Sequence, residues 1–427
     1  MVTATGTSGS AGTRALVSGA ALHALVVLVF ALFFFFGGIT SLNDVLVPKL
    51  KGLFQLDYAE AMLTQFAFFA AYFFISLPAG VLVSRIGYMR AAVIGLAVMA
   101  AGCLLFVPAA GSGLFWTFLV ALFVLAAGVT IVQVVANPLI SALGDPATAS
   151  SRLTFAQAFN SLGTTIMPYL GSQVLLGSVA TVDPKTLSGA ALREFQRHEA
   201  AVIGRAYIGL AVVLALASLV FWLRRRALPE SGNKNVGFFQ GFELLQRPRF
   251  ALGTLCIFLY VGAEVTIGSL MVSYLSQPTT LGLDEHAAGE RLSLYWGGAM
   301  IGRFIGSLLL RMFVPGKVLA TFATIAAGLV LVSISSTGHV AGWTLLSVGL
   351  FNSIMFPTIF SLASEGLGDR ASEGSGIICM AIVGGAIVPF VTGKLADMTS
   401  LTTGLLLPVA CYCVILAFGW FARKPAV

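Results

Sequence analysis

Few side chains in this sequence can do chemistry, and those few sit inside apolar runs. Asp44, Glu264 and Arg303 are ionisable and lie within such runs, with Glu365 near the end of another. A charge is costly in hydrocarbon, so each is a functional candidate by default. Asp44 follows LVVLVFALFFFFGGITSLN, beside Asn43 and four residues before Pro48. A buried carboxylate there can take up a proton on one side of a membrane and release it on the other. Oxygens of Asn43 and Ser41 beside it would equally suit a sodium ion. The bland reading is a boundary carboxylate capping a loop. Gln133 and Asn137 are four apart and share one helix face. Their amides can exchange hydrogen bonds with ligand hydroxyls or with neighbouring helices. Gln157 and Asn160, three apart in FAQAFNSLG, share another face, with Phe155 and Phe159 beside them. Such a face suits a pyranose ring, which has hydroxyls at its rim and C–H groups on its faces.

The second half of the chain offers fewer groups. Glu264 has Tyr260 one turn before it. The carboxylate can accept charge-assisted hydrogen bonds from a ligand, form a second cation-linked site, or pair with Arg303 on another helix. Glycines at 297, 298, 302 and 306 surround Arg303 and permit close helix approach. That argues for a structural or gating role. Trp296 in LYWGG and Asn352 in GLFNSIMFP are candidate ligand contacts. Five cysteines all lie in apolar runs and read as small core residues. No metal-ligand spacing, nucleophile–base pair or cofactor motif is present, so neither an enzyme nor a cofactor is expected.

The elements that must position these groups follow from composition. Of 427 residues, 58% are hydrophobic and 10% charged, with a mean hydropathy of +0.96. A soluble domain carries about 25% charged residues. Continuous apolar runs of about 20 residues are bilayer-spanning helices. They predict twelve, near 17–46, 59–84, 90–110, 113–142, 152–178, 203–224, 248–276, 290–313, 317–337, 340–364, 373–397 and 401–422. Residues 1–16 read as a cytoplasmic tail, 17–224 and 248–422 as two six-helix halves, 225–247 as a cytoplasmic linker in which FFQGFELL forms an interfacial helix, and 423–427 as a tail. With the N-terminus inside, Lys and Arg divide fifteen inside to eight outside, which favours both termini in the cytoplasm. The net charge of +7 then reflects topology and calls for no nucleic acid.

The halves repeat. GTTIMPY and GGAIVPF share Gly, Ile, Pro and an aromatic at a separation of 221, and Pro138 and Pro357 open similar segments 219 apart. GVLVSRIGYMR and GSLLLRMFVPGK each place an Arg, Arg85 and Arg311, five residues after a Gly. Pro138, Pro168, Pro357 and Pro389 inside spans suggest paired hinges.

Twelve spans in two halves resemble the major facilitator superfamily. GVLVSRIGYMR is similar to its loop between the second and third spans, with Ser84 in place of the usual Asp and with Arg85 and Arg90 retained. The segments LNDVLVPKLK, QVVANPLISALG, RLTFAQAFNSLG, YVGAEVTIGSLMVSYL, YWGGAMIGRFIG and GSGIICMAIVGGAIVPF resemble the fucose:proton symporter family, most of all its bacterial glucose/galactose transporter branch. The resemblance implies an all-α membrane protein with twelve transmembrane helices in two pseudo-symmetric halves. It implies a multi-pass protein of the bacterial inner membrane, working as a monomer. Its expected partners are a monosaccharide, a coupling proton or sodium ion, and the lipid bilayer. It gives Asp44 the cation-coupling role. Gln133 stands where the fucose symporter has a Glu, so no second carboxylate faces Asp44, which favours a hexose such as glucose or galactose over fucose. Mannose, N-acetylglucosamine and export of amphiphilic compounds are the alternatives.

Overall fold

A computed structural model describes residues 19–56, 58–175, 189–226, 237 and 239–424. The first six spans are Gly19–Phe54, Tyr58–Ile86, Tyr88–Ser112, Phe115–Ala142, Ala149–Leu175 and Gly189–Leu223. The seventh to ninth are Pro248–Leu275, Glu285–Met312 and Pro315–Ser335. The last three are interrupted: the tenth is Gly338–Asn352 with Met355–Ala363, the eleventh Ala371–Met380 with Gly384–Met398, and the twelfth Leu401–Gly404 with Leu406–Phe421. Ten of these twelve stretches are long and apolar enough to cross a membrane. The fifth and eighth fall short because they carry Arg152, Gln157 and Asn160, and Arg291, Arg303 and Arg311. These two polar helices pack on each other between the halves, where side chains need not face lipid.

Boundaries differ from the apolar runs at two places. The first helix continues past residue 46 to Phe54, because Leu46, Leu50 and Leu53 keep a buried stripe beyond the apolar run. The sixth begins at Gly189 rather than near 203. Its extra turns carry Gln196 and Glu199, which grip the end of the first helix, as described below.

Local chemistry sets the turns. Gly87 holds φ 86° between the second and third spans, a conformation that costs a side chain dearly. Asp145 caps its turn by accepting from Ala147 N at 3.1 Å, with Pro146 following. Asp284 caps the eighth span by accepting from Ala287 N at 2.8 Å. The four hinge prolines are unequal. The tenth span breaks at Ser353 and Ile354, and the Pro357 ring meets the carbonyl four residues back, which is that of Ser353. The helices run on through Pro138 and Pro389. The side chain of Pro168 lies outside the described residues.

The seam between the halves is twofold. The second span packs on the eleventh and the fifth on the eighth; the fourth packs on the eleventh and the fifth on the tenth. Four serine bonds follow this symmetry. Ser84 Oγ meets Ser372 Oγ at 2.7 Å, and Ser151 donates to the Ser307 carbonyl at 2.6 Å. Ser375 donates to the Val134 carbonyl at 2.9 Å, and Ser150 to Ser361 Oγ at 3.0 Å. All four lie toward the end that carries the loops after the second, fourth, eighth and tenth spans. Beneath that end, the expected interfacial helix is a short 3-10 turn, Gln240–Gln246, with Gly241 and Leu244 buried. Gly241 sits between Leu77 of the second span and Ile377 of the eleventh. Arg370 ties the turn in place, donating to the Gln240 carbonyl at 2.7 Å and pairing with Glu373 at 3.0 Å and Glu243 at 3.4 Å.

Candidate functional site

In the first half, the candidate amides come from three helices that pack together, the first, fourth and fifth. Gln133 is buried, and its Oε1 accepts from Tyr72 Oη of the second span at 2.8 Å. That bond orients the amide and leaves its two N–H donors for another partner. Asn137, one turn on, is fully enclosed beside Cys379 of the eleventh span. Among the described residues its polar side-chain atoms have no nitrogen or oxygen partner, and the Cys379 thiol is the polar group beside them. Gln157 is also buried. Asn160 donates to the Phe33 carbonyl of the first span at 3.3 Å. Gly37 makes room for it: a Cβ there would fall 2.5 Å from the Asn160 carbonyl oxygen. Phe159 stacks on Phe30, with centroids 4.7 Å apart and planes 9° apart, and Phe155 meets Phe304 edge-on across the seam at 6.2 Å.

The first helix carries Asn43 and Asp44 ten residues before its end at Phe54. Their side chains, and with them any sodium site, lie outside the described residues. Neighbouring groups are spoken for locally: Ser41 donates to the Gly38 carbonyl at 2.9 Å and Thr40 to the Phe36 carbonyl at 2.7 Å. Five residues beyond Asp44, Lys49 is buried and ion-paired with buried Glu199 of the sixth span. His198 Nδ1 stands 3.7 Å from the other Glu199 oxygen. Gln196 adds a bond to the Leu53 carbonyl at 3.0 Å. The sixth helix thus clamps the far segment of the first, through a pairing across 150 residues that no motif in the chain marks.

The second half holds a buried polar network across four spans. Tyr260 Oη lies 2.8 Å from Glu264 Oε1 and 3.0 Å from the Asn352 carbonyl. Asn352 Nδ2 donates to Tyr295 Oη, and Tyr412 Oη donates to Asn352 Oδ1, both at 2.8 Å. Tyr295 Oη is 3.2 Å from the Glu264 carbonyl. Tyr260, Tyr295, Asn352 and Tyr412 are enclosed, while Glu264 is half-buried. Asn352 and Tyr260 therefore spend their polar atoms on each other's neighbours, and Glu264 is the member with surface to offer a ligand. Tyr295 and Tyr412 escaped the sequence reading because neither belongs to a polar cluster in the chain.

Arg303 joins the two halves. Its Nη1 donates to the Gln157 carbonyl at 3.2 Å and also bonds Ser161 Oγ, both in the fifth span, while Nε reaches the Ser353 carbonyl at 3.4 Å. It lies within electrostatic reach of Glu264 and Tyr260 but makes no ion pair with Glu264. So one guanidinium stands between the Gln157 segment and the tyrosine network. Trp296 is 46% exposed and packs edge-on to Tyr295 at 5.0 Å, its ring beside Gly268. Arg85, Arg90 and Arg311 are exposed at the loops. At the second-to-third loop, Ser84 makes a cross-seam contact with Ser372.

Residues 28–388 match the sequence profile of the Major Facilitator Superfamily. The chain belongs to the Major Facilitator Superfamily. It is 47% identical over 92% of its length to the "Glucose/galactose transporter" of Brucella abortus, 92% of which is covered. It is 33% identical to the "L-fucose-proton symporter" of Escherichia coli, over 93% of each chain. Among solved structures, the superfamily transporter FucP in its outward conformation superposes with a TM-score of 0.86 at 32% identity, covering 95% of this chain and all of that one. A bacterial homologue of ferroportin shares the fold alone, with a TM-score of 0.71 at 13% identity.

Proposed function

We propose that this protein is a secondary active transporter that takes up a hexose such as glucose or galactose together with a proton. The observation that carries the reading is the junction at Arg303. It joins the Gln157–Asn160 segment of one half to the Glu264 network of the other, in a chain 47% identical to transporters named for glucose and galactose. The sugar binds between the halves, with Gln133, Gln157 and Asn160 on one side and Glu264 on the other. Their donors and acceptors match a polyol, and the carboxylate strengthens the bonds it accepts. Tyr72 orients Gln133, and Asn352, Tyr260 and Tyr412 brace Glu264.

Asp44 is the coupling group. The protein reorients readily when Asp44 and the sugar site are both loaded or both empty, and this differential is what ties the two flows together. The E. coli relative is named a proton symporter, which favours the proton over sodium. The serine seam closes the end bearing the even-numbered loops, which we place in the cytoplasm from the fifteen-to-eight distribution of cations. The site then opens outward, in keeping with the likeness to outward FucP. Inward opening requires the four serine bonds and the Arg303 contacts to part. Asp44→Asn tests the coupling role: it should abolish gradient-driven accumulation in proteoliposomes while retaining sugar exchange. Undiminished uphill uptake by the variant would remove Asp44 from the mechanism.

A further inference from the structure

A cavity of ≈ 1110 Å³ opens where the start of the seventh span meets the end of the twelfth, away from the seam. In a chain with only 10% charged residues, its lining gathers four cations, Arg247, Arg249, Arg423 and Lys424, and one carboxylate, Glu365. Arg249 is committed to the fold. It pairs with Glu365 and donates to the Leu362 carbonyl at 2.8 Å and the Lys424 carbonyl at 2.7 Å. Among the described residues, Arg247, Arg423 and Lys424 have no carboxylate within ion-pair distance. Arg247 makes one long bond to the Gly366 carbonyl at 3.3 Å, and Lys424 is exposed. Arg423 lies over the Trp420 ring at 4.0 Å.

Two further features point to what fits here. The 28-residue seventh helix starts at the cavity with Pro248 in its first turn and no side chain capping it, so its free amides add positive potential to the same place. At the rim, Trp420 and Phe421 are 57% and 51% exposed at the end of an apolar span, where aromatic rings settle at headgroup depth. Cations and helix end recognise a phosphate group; the exposed rings would be wasted on an inorganic ion but pack against glycerol and acyl chain. We propose that this cavity binds the headgroup of an anionic phospholipid, a basic pocket between helix ends being suited to such headgroups. The site needs the membrane placement but not the hexose reading.

The test is native mass spectrometry on the full chain, delipidated in detergent and titrated with dioleoyl phosphatidylglycerol or dioleoyl phosphatidylcholine, with no sugar or gradient. The wild type should take up phosphatidylglycerol in preference. Arg247→Gln/Lys424→Gln should weaken phosphatidylglycerol binding about thirty-fold and Lys424→Gln alone about five-fold, from the usual gain per cation near a lipid surface. Phosphatidylcholine binding should not change. Arg225→Gln/Arg226→Gln, an equal loss of charge on the same face outside the cavity, should leave the preference intact. Equal retention by the cavity variants, or equal loss in the control, would overturn the proposal. So would displacement of phosphatidylglycerol by an equal concentration of inorganic phosphate, which would reassign the cavity to the free ion. None of these outcomes bears on sugar transport.

Discussion

Glu199 and Lys49 show how a single pair can matter far from the substrate. Both are buried, and removing one partner of a buried pair costs about 3–5 kcal/mol because the other charge is left uncompensated. Glu199→Ala should therefore lower the thermal midpoint in detergent markedly, whereas Lys49→Met/Glu199→Leu should recover most of it. Equal loss in the single and double variants would mean that the pair is not what holds the first helix there. Little of this was legible beforehand, because Lys49 and Glu199 sit at the polar ends of apolar runs, where a solvated loop is the default reading. The intramembrane candidates were more legible, since an ionisable group in an apolar run is conspicuous. Gln133, Gln157 and Glu264 do lie at the helices between or beside the halves, but Tyr72 and Tyr260, which bond Gln133 and Glu264, do not stand out in a chain with nine tyrosines and 33 phenylalanines.

At the scale of elements, the twelve spans were readable from apolar runs, and the two most polar of them turned out to face each other at the seam. What the runs could not show was where helices end, because burial against protein lets a helix continue beyond its apolar stretch. Close packing between the first and fifth spans is set by Gly37, where a Cβ would meet the Asn160 backbone. Gly37→Leu should push the fifth span away and abolish sugar binding, while Phe30→Leu, at a ring contact only, should weaken it mildly; calorimetric sugar titration distinguishes the two. The seam makes a second prediction. Ser84→Ala/Ser151→Ala removes two bonds between halves, each worth about 1 kcal/mol. Together they should shift the balance toward the form open at this end by roughly thirty-fold, read as a longer distance between spin labels on the second-to-third and eighth-to-ninth loops. An unchanged distance distribution would assign closure to the apolar contacts and Arg303.

For the whole molecule, the internal repeat and the observed contacts agree. Segments about 220 residues apart in sequence place serines at symmetric points of one seam, so each half can rock against the other about the site between them. The motion itself is thermal; uphill accumulation needs an energy source, and under the proposed coupling it comes from the proton that moves with each sugar. A proton gradient of one pH unit corresponds to about 1.4 kcal/mol, enough for about tenfold accumulation at one proton per sugar. The most direct test is uptake of labelled glucose and galactose into proteoliposomes under separately imposed pH and sodium gradients. Inward-directed proton gradients should drive about tenfold accumulation of at least one hexose per pH unit, collapsed by a protonophore and unaffected by sodium. If no hexose were accumulated or exchanged under either gradient, the assignment as a hexose symporter would be wrong.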